Sequence, residues 1–449
     1  MTPERSLLMI PGPVEVSPRV QAAFAVPPPG HTAPALITAF GEALASMRRV
    51  WAAEPASQPF VVGGGGTAAM DMAVANLIAP GDRVLVVETG YFSERMAEML
   101  RRQGAAVVEV GAAPGQAPTT GEVRAAMADA TAGSGPFRAL FATHVDTSTG
   151  VRLDPEPFAR LAREQGMLAV FDGVCAAGGE RFEMAAWDAD VYLTASQKAL
   201  GLPPGLAMMV ASPRALRVRM ERRGGPPPMY LDWEAWQPVM RAYEERRAAY
   251  FSTPPTNLVL ALAAGLAEIE SEGMAARVAR HARAAGALRA AWQALGLRLL
   301  PARDELAADT LSALLLPEAR DPVPPGGPSG AAAGAEAPAR AAAAAATAAE
   351  APAVVARIAE HGVTVATGLL PTLRSRYFRV GHMGWVAGRP DLLRRTVAAV
   401  AAGLRECGLG AGAEAERQAL AALDALPADS DAAAVAAAPR QCQAPATAQ

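Results

Sequence analysis

Cysteine is scarce in this sequence: the chain of 449 residues has only three, Cys175, Cys407 and Cys442, at unrelated spacings. Such spacings provide neither a disulfide framework nor a zinc-binding pattern, which favours a reducing compartment. Long apolar runs free of Gly, Pro or charge are also missing, so we expect no membrane-spanning helix. The apolar stretch from Leu7 to Ile10 is stopped by proline and is too short for a signal peptide.

An excess of charge of one sign is missing as well. The chain has 41 Lys and Arg against 44 Asp and Glu, a net charge of −3. This balance gives no reason to expect nucleic acid or an anionic membrane as a partner. We therefore expect a soluble intracellular protein, in the cytoplasm, a mitochondrion or a peroxisome. The C-terminal residues 445–449 lack a peroxisomal ending of the SKL type.

What the sequence does contain is an alternation of short apolar runs and amphipathic helices. This alternation is typical of α/β proteins, in which a parallel sheet carries helices on both faces. The length allows two domains. The predicted strands are residues 60–62, 84–88, 106–111, 139–145, 168–171, 190–195 and 206–211, and the predicted helices around them are residues 34–52, 67–78, 94–103, 121–130 and 155–165.

After Pro254 and Pro255 the pattern changes to that of a smaller α+β domain. We predict a large domain over residues 20–255 and a small domain from residues 1–19 and 256–408. Two segments are rich in Ala, Pro and Gly and cannot pack a core, so we predict a disordered insertion and a low-complexity tail. The insertion covers residues 321–352 and the tail residues 409–449, with one possible helix at residues 414–426.

Two polar residues follow neighbouring predicted strands: Asp172 ends the run Leu168 to Phe171, and Lys198 follows residues 190–195. The carboxyl ends of parallel strands are where α/β proteins place ligand sites. An acid and a lysine at this edge are the pair that pyridoxal phosphate chemistry requires. The lysine forms the Schiff base, and the acid pairs with the protonated pyridine nitrogen. A surface lysine and a helix-capping aspartate are an equally open interpretation of these two residues alone.

Glycine is concentrated in the loop Gly63–Gly66, between a predicted strand and a predicted helix. Such a loop presents backbone N–H groups and the positive end of the helix dipole to a phosphate. It matches neither the Walker A nor the dinucleotide-binding spacing. A plain flexible turn is therefore the alternative to a phosphate loop. Gly12, between two prolines, is a second position where backbone can approach a ligand closely.

Taken together, the motifs resemble those of the class V aminotransferases, which are pyridoxal phosphate enzymes of fold type I. The match is closest to the alanine–glyoxylate and serine–pyruvate branch, particularly its fungal-type members. It covers residues 7–407 except the insertion, and implies a large domain with a mostly parallel seven-stranded sheet beside a smaller α+β domain. The motifs in family order are LLMIPGPV, GHTAP, QPFVVGGGGTAAMD, TGYFSER, THVDTSTGV, FDGVCAAGG, LTASQKALGLPPG, AYFSTPP and FRVGHMG.

The resemblance implies a role for each matching position. Lys198 is the Schiff-base lysine and shuttles a proton between the α-carbon of the substrate and C4′ of the cofactor. Asp172 is the partner of the pyridine nitrogen. The other cofactor contacts that the resemblance implies are the phosphate-loop residues Gly65, Gly66 and Thr67, the ring-stacking Phe92, and the polar ring contacts Thr147 and Gln197.

The resemblance also implies a homodimer, because Tyr250 and Thr253 match residues that reach the phosphate of the neighbouring subunit's cofactor. Arg379 matches the arginine that holds the substrate carboxylate, and Gly12 lies at the substrate side. A guanidinium can bind a carboxylate through two parallel hydrogen bonds, which lysine cannot do. Arg374 and Arg376 are the alternative pair for this role.

The resulting prediction is a transaminase that moves the amino group of alanine to glyoxylate, giving pyruvate and glycine; no metal is expected. Serine as donor is the nearest alternative, since apolar pockets discriminate weakly against a hydroxyl. A cysteine desulfurase is disfavoured because Cys175 suits packing and no cysteine suits a nucleophile loop. An inactive scaffold is disfavoured by the presence of the lysine, the acid and the arginine. For His144 and His382 we expect local hydrogen bonding rather than catalysis.

Overall fold

A computed structural model describes residues 5–130, 135–317, 349–410 and 412–427. Within these ranges the buried apolar side chains form two large clusters, one around each of two sheets. None of the helices in these ranges is both long and apolar enough to cross a membrane. The predicted insertion lies outside the described residues except for its last four positions, and so does the end of the predicted tail.

The larger sheet has seven strands, which we number in chain order, and helices pack against it. They are β1 (Gln58–Gly63), β2 (Arg83–Glu88), β3 (Ala106–Gly111), β4 (Phe137–Thr143), β5 (Leu168–Asp172), β6 (Val191–Ala195) and β7 (Leu206–Ala211). Their order across the sheet is β1-β7-β6-β5-β4-β2-β3. Only β7 runs antiparallel to its neighbours. This confirms the predicted α/β fold with a mostly parallel sheet.

The connection between strands explains which of them run parallel. A parallel neighbour needs a long crossover, usually a helix, whereas an antiparallel neighbour can follow a short turn. The chain between β6 and β7 contains only the lysine segment and the GLPPG turn, so β7 returns beside β6. Every residue of β5, β6 and β7 is buried, as continuous apolar runs predict for central strands covered on both faces.

Helices cover the sheet and build the second core. Several begin with a capping Ser or Asp followed by Pro, a combination that satisfies the first N–H groups and suits the fixed φ of proline. They are α1 (Pro18–Phe24), α2 (Pro34–Val50), α3 (Gly66–Leu77), α4 (Tyr91–Arg102), α5 (Thr120–Ala130), α6 (Pro155–Glu164), α7 (Pro213–Met220), α8 (Trp233–Glu244), α9 (Thr256–Glu272), α10 (Met274–Ala294), α11 (Ala351–Glu360), α12 (Pro390–Glu406) and α13 (Ala413–Ala421).

The second cluster surrounds a smaller antiparallel sheet of order β8-β9-β11-β10. Its strands are β8 (Arg298–Leu299), β9 (Leu311–Leu315), β10 (Ala366–Thr367) and β11 (Tyr377–Gly381). The N-terminal segment belongs to this side of the molecule, because Leu7–Leu8 pairs in parallel with Val363–Thr364. The sequence pattern predicts one strand over residues 363–366, whereas the structure has two short strands there, Val363–Thr364 and Ala366–Thr367, with different partners.

Two observations bear on the predicted domain boundaries. Helix α9 begins after residue 255, yet its buried residues, Val259 to Ile269, join the first cluster through contacts with α1 and α2. Helix α13 lies in the segment predicted as a tail, and Ala419 and Leu423 are buried in the second cluster. The packed chain thus extends beyond residue 408, because spaced apolar residues at its end complete the second core.

Candidate active site

Asp172 and Lys198 lie at the same edge of the larger sheet. Asp172 is the last residue of β5, and Lys198 follows the end of the parallel neighbour β6. In the register of the two strands Asp172 lies opposite Leu193, and the N–H of Gly173 donates to the Leu193 carbonyl over 2.8 Å. Parallel alignment therefore brings the acid and the lysine to adjacent loops, as the sequence predicts.

Lys198 is buried against the N-terminal segment. Its Nζ donates a hydrogen bond to the carbonyl of Pro11, and burial lowers the pKa of the ammonium. Gly12 passes directly over the side chain: a Cβ at this position would lie 2.6 Å from Cδ of Lys198, and the φ of +91° favours glycine. The lysine therefore reaches its position only because residue 12 has no side chain.

Asp172 is a buried carboxyl with an incomplete set of partners. Its Oδ1 accepts one hydrogen bond, of 2.8 Å, from the N–H of Val174. Its pKa is raised to about 7, mainly by burial and also by the nearby Asp146 carboxylate, while the hydrogen bond from Val174 and the charge of Lys198 oppose the shift. A cation placed beside this carboxyl would favour its ionised form. The site thus has a place for a positively charged ligand group.

Asp146 is a functional candidate that the sequence indicates only as part of the motif THVDTSTGV. This fully buried carboxylate accepts hydrogen bonds from the backbone of Phe92 and Ser93, over 3.0 and 3.3 Å, and from the N–H and hydroxyl of Ser148. It therefore caps the N-terminus of α4, where Gly90 offers no side chain. The sequence contains a signal for such a role, because Asp146 is a carboxylate directly after a buried strand and within a turn of small polar residues.

The glycine loop lies beside the acid. Gly65 precedes α3, Gly66 is its first residue, and Thr67 is exposed at the helix N-terminus. A Cβ at Gly66 would lie 2.9 Å from the side chain of Val174, whose N–H binds Asp172. Because the first N–H groups of a helix have no intrahelical acceptor, this end of α3 can bind an anion next to Asp172.

The remaining predicted ring contacts come from the start of α4 and from two loops. Phe92 is half-buried at the start of α4, with the Arg95 guanidinium 5.4 Å from its ring centroid. Thr147 is buried next to Asp146. Gln197 has a buried side-chain Oε1 without a hydrogen-bond partner among the described residues. Such an oxygen favours a donor supplied by a ligand.

Arg379, on β11, is buried and reaches the same region from the smaller sheet. Its Nε donates to the Thr367 carbonyl over 2.9 Å, and its Nη1 to the Thr147 carbonyl over 3.1 Å. Burial lowers its pKa, although the guanidinium stays charged at neutral pH. No carboxylate pairs with it in the described part of the chain. Arg374 and Arg376, by contrast, are exposed.

Tyr250 and Thr253 lie between α8 and α9. Both are exposed, Tyr250 by 65%, and their hydroxyl oxygens are 3.5 Å apart. The Tyr250 ring lies 5.3 Å from that of His31, centroid to centroid. Within one chain, the described hydrogen bond of these two hydroxyls joins them to each other and not to Lys198.

His144, His382 and Cys175 are buried, and their surroundings indicate structural roles. Burial lowers the pKa of both His144 and His382 to about 3, so both are neutral. His144 bonds the Tyr192 hydroxyl and His382 the Ser312 hydroxyl, each over 3.0 Å, in agreement with local hydrogen bonding. Cys175 is buried, which raises the pKa of its thiol. Among the residues that the structure describes, no group of His, Cys, Asp and Glu could hold a metal ion.

Comparison with known proteins agrees with this geometry. The family model "Aminotransferase class-V" matches residues 30–311. The chain belongs to the class-V aminotransferases. Alanine–glyoxylate aminotransferase 1 of Saccharomyces cerevisiae is 33% identical over 405 residues, which are 87% of this chain and 95% of the yeast protein. The L-aspartate–glyoxylate aminotransferase of Paracoccus denitrificans is 33% identical over 317 residues, 70% of this chain and 77% of that protein.

A solved structure connects the family to the fold. The alanine–glyoxylate aminotransferase of Nostoc sp. superposes with a TM-score of 0.75 at 31% identity, and the match covers 90% of this chain and 97% of that one. The chain therefore has the fold type I architecture that the motifs imply. As a class-V aminotransferase it is a transaminase, and its family implies pyridoxal phosphate as cofactor.

Proposed function

We propose that this class-V aminotransferase binds pyridoxal phosphate at Lys198 and transfers the amino group of alanine to glyoxylate, giving pyruvate and glycine. The observation that carries the proposal is the meeting of three groups in one region: a buried lysine, a buried acid and a buried arginine, of which the acid and the arginine form no salt bridge with any described residue. The similarity to the yeast and Nostoc enzymes supports alanine as donor and glyoxylate as acceptor.

The residues present fit this cofactor. The N-terminus of α3 and Thr67 would hold the phosphate, and Asp172 would pair with the protonated ring nitrogen. The positive charge of this nitrogen would favour the ionised form of Asp172, whose pKa burial raises. Gln197 would contact the edge of the ring, because its buried Oε1 has no partner among the described residues. Phe92 would stack on the face of the ring. Bound pyridoxal phosphate supplies an electron sink and an aldehyde that accepts amino groups.

Lys198 would act as both anchor and base. Its burial lowers the pKa of Nζ, which increases the neutral fraction that can accept a proton from the α-carbon of the amino donor. The Pro11 carbonyl orients Nζ, and Gly12 leaves the space in which the side chain moves. The neutral histidines are bonded elsewhere, so the lysine itself is the proton carrier.

Arg379 would bind the substrate carboxylate. The carbonyls of Thr367 and Thr147 hold the guanidinium through Nε and Nη1, and its charge is not matched by a carboxylate in the described part of the chain. Burying an unpaired guanidinium is costly, so an external carboxylate would stabilise it strongly. Both alanine and glyoxylate supply that group.

A buried apolar cluster beside Lys198 favours a small donor. Cys175, which is close enough to Lys198 to influence its pKa, packs in this cluster with Val14, Leu311 and Met383. Apolar surroundings of this kind would suit the methyl group of alanine. A dicarboxylate donor, as in the name of the Paracoccus enzyme, would need a second cation. Serine is the second candidate, because an apolar pocket rejects one added hydroxyl only weakly.

A donor and acceptor screen tests the proposal. Purified protein saturated with pyridoxal phosphate is assayed with alanine, serine and aspartate against glyoxylate and pyruvate. We expect the highest kcat/KM for alanine with glyoxylate. Arg379→Lys should raise KM for donor and acceptor alike, by roughly tenfold or more, because lysine cannot form the paired hydrogen bonds. A higher kcat/KM with serine or aspartate would contradict the alanine assignment.

Absorbance separates a transaminase from an inactive scaffold or a desulfurase. A lysine-linked cofactor should give the purified protein a visible absorbance band, which added alanine should change. A protein with protein absorbance alone would contradict cofactor binding. Sulfide release from cysteine exceeding transamination would instead support the desulfurase alternative.

We further propose that two copies of the chain form a homodimer with shared sites. Tyr250 and Thr253 are exposed in one chain and adjacent to each other, which suits a phosphate contact across a subunit boundary. Mixed dimers test this: subunits with Lys198→Ala are combined with subunits carrying Tyr250→Phe and Thr253→Ala. If the residues act in trans, one site of each mixed dimer is intact, and activity should exceed that of either parent.

The expected defect is large enough to measure. Losing a charge-assisted hydrogen bond to phosphate costs about 1.5–3 kcal/mol, so the Tyr250 and Thr253 substitutions should weaken cofactor retention by roughly tenfold or more. If subunit exchange is verified and activity never exceeds the parental average, the residues act in cis or only in packing.

A further inference from the structure

Three side chains on one face of α10 hydrogen-bond to loops that carry the site. Arg277, Arg280 and His281, here called the α10 triad, are spaced by three and four residues, which places them together on the helix surface. Their acceptors and donors are backbone groups of Gly178, Ala199 and Gly384. The three loops follow Asp172, Lys198 and Arg379 respectively.

Arg277 joins the acid loop to the lysine loop. Its Nε donates to the Gly178 carbonyl over 2.7 Å, and its Nη2 donates to the carbonyl of Ala199, next to Lys198, over 2.9 Å. Glu272 accepts from Nη1 of Arg277 over 2.9 Å and also from Nε and Nη2 of Arg280, so the two guanidinium groups share one carboxylate. Because a guanidinium is planar and rigid, these bonds set the separation of the two carbonyls.

Arg280 and His281 hold the third loop. The Gly384 carbonyl accepts from Nη1 of Arg280 over 2.9 Å, and the Gly384 N–H donates to Nε2 of His281 over 2.9 Å. Since Nε2 accepts, Nδ1 carries the proton and donates to the Arg277 carbonyl over 2.8 Å. Gly384 follows β11, the strand of Arg379, and a Cβ there would lie 3.4 Å from the Ala199 carbonyl oxygen.

We propose that the α10 triad positions the lysine, the acid and the carboxylate-binding arginine relative to one another, an inference that rests on the proposed transamination. Arg277 acts through the loops that follow Asp172 and Lys198. Arg280 acts through Gly384, which follows the strand of Arg379. The three reacting groups come from two sheets with separate hydrophobic cores, and the triad connects both sides from a single helix. Misplacement of reacting groups by about 1 Å can reduce a rate about a hundredfold.

Three conservative variants of the full-length holoenzyme test the inference. Arg277→Lys keeps the charge but cannot bond both carbonyls and Glu272. Arg280→Lys likewise loses the geometry at Gly384. Arg283→Lys, an exposed arginine on the same helix, is the matched control. Turnover is normalised to bound cofactor, and KM is measured for the amino donor.

We expect Arg277→Lys to lower turnover per bound cofactor by about ten- to a hundredfold. Its KM should change by less than about threefold, because Arg379 is intact. Arg280→Lys should mainly raise KM. A second readout does not use turnover: apo-protein is mixed with pyridoxal phosphate, and lysine attachment is followed by visible absorbance and, after borohydride reduction, by peptide mass. Attachment should be slowed in Arg277→Lys and should match the control in Arg280→Lys.

The inference would be overturned if Arg277→Lys lost only thermal stability or cofactor occupancy while turnover per bound cofactor and attachment rate matched the control. If Arg277→Lys does not fold, the test rests on Arg280→Lys. An unchanged KM for the amino donor in that variant contradicts the positioning role. A wild-type protein without transamination of any donor refutes the proposed function instead, while the attachment rate still tests the triad.

Discussion

Replacing Asp172 with asparagine should have opposite effects on the cofactor-free and the cofactor-bound protein. The carboxyl is 4% exposed, and its pKa is raised from 3.8 to about 7, first by burial and then by Asp146. Because the cost of burial outweighs the effect of Lys198, an ionised Asp172 destabilises the folded apo-protein. With pyridoxal phosphate bound, the ionised form becomes the favourable partner of the ring nitrogen.

The sign and size of the change in unfolding free energy follow from the linkage between protonation and folding. Because the folded pKa is raised, the stability that the protonated carboxyl contributes is fully present below about pH 4 and is lost as the pH rises through about 7. The difference between 3.8 and about 7 corresponds to about 4 kcal/mol of unfolding free energy. Asparagine does not titrate. The variant should therefore gain stability relative to wild type as the pH rises, by up to about 4 kcal/mol at about pH 8.

The assay is urea unfolding of the apo-protein at several pH values from about 4 to about 8. Subtracting the wild-type curve removes the titration of Glu180, whose pKa burial also raises to about 7. Asp129→Asn, at an exposed helical position, is the control. The holoenzyme arm should show cofactor affinity reduced about tenfold or more in Asp172→Asn. Wild type and Asp172→Asn with parallel pH dependence would refute the assignment of this titration to Asp172.

Three further outcomes are expected. Lys198→Ala should abolish transamination and leave circular dichroism and weak cofactor binding intact, because Asp172 and α3 remain; turnover at the wild-type rate would contradict the lysine assignment. Deleting residues 321–348 behind a short Gly/Ser linker should change Tm and kcat little, since the tract lacks large apolar side chains, and a collapse of expression would contradict this. Leu423→Ala, which opens the second core beneath α13, should cost about 2–3 kcal/mol in urea unfolding, whereas an unchanged midpoint would show that α13 does not stabilise that core.

The strands and most helices follow from local pattern, because a buried parallel strand needs a continuous apolar run and a helix needs an apolar stripe. The predicted bounds of β3 and β7 match the structure residue for residue. The two-residue strands at Val363–Thr364 and Ala366–Thr367 were predicted as one, since the change of partner between them depends on distant chain. Helix α13 was predicted only as possible, because its burial depends on a core built elsewhere.

For the site, strand ends sufficed to nominate Asp172 and Lys198, because parallel strands end at one edge of a sheet. The glycine between two prolines points to Gly12, and the family motifs point to Arg379. Neither source indicated that Asp146 caps α4 or that Arg277 joins the loops of the acid and the lysine. Those contacts link residues far apart in sequence, and a carboxylate or guanidinium has the same local pattern whether it is solvated or buried. Burial and partners are properties of the packed chain, and they alone make Asp172 retain its proton near neutral pH and leave Arg379 without a carboxylate in the described part of the chain.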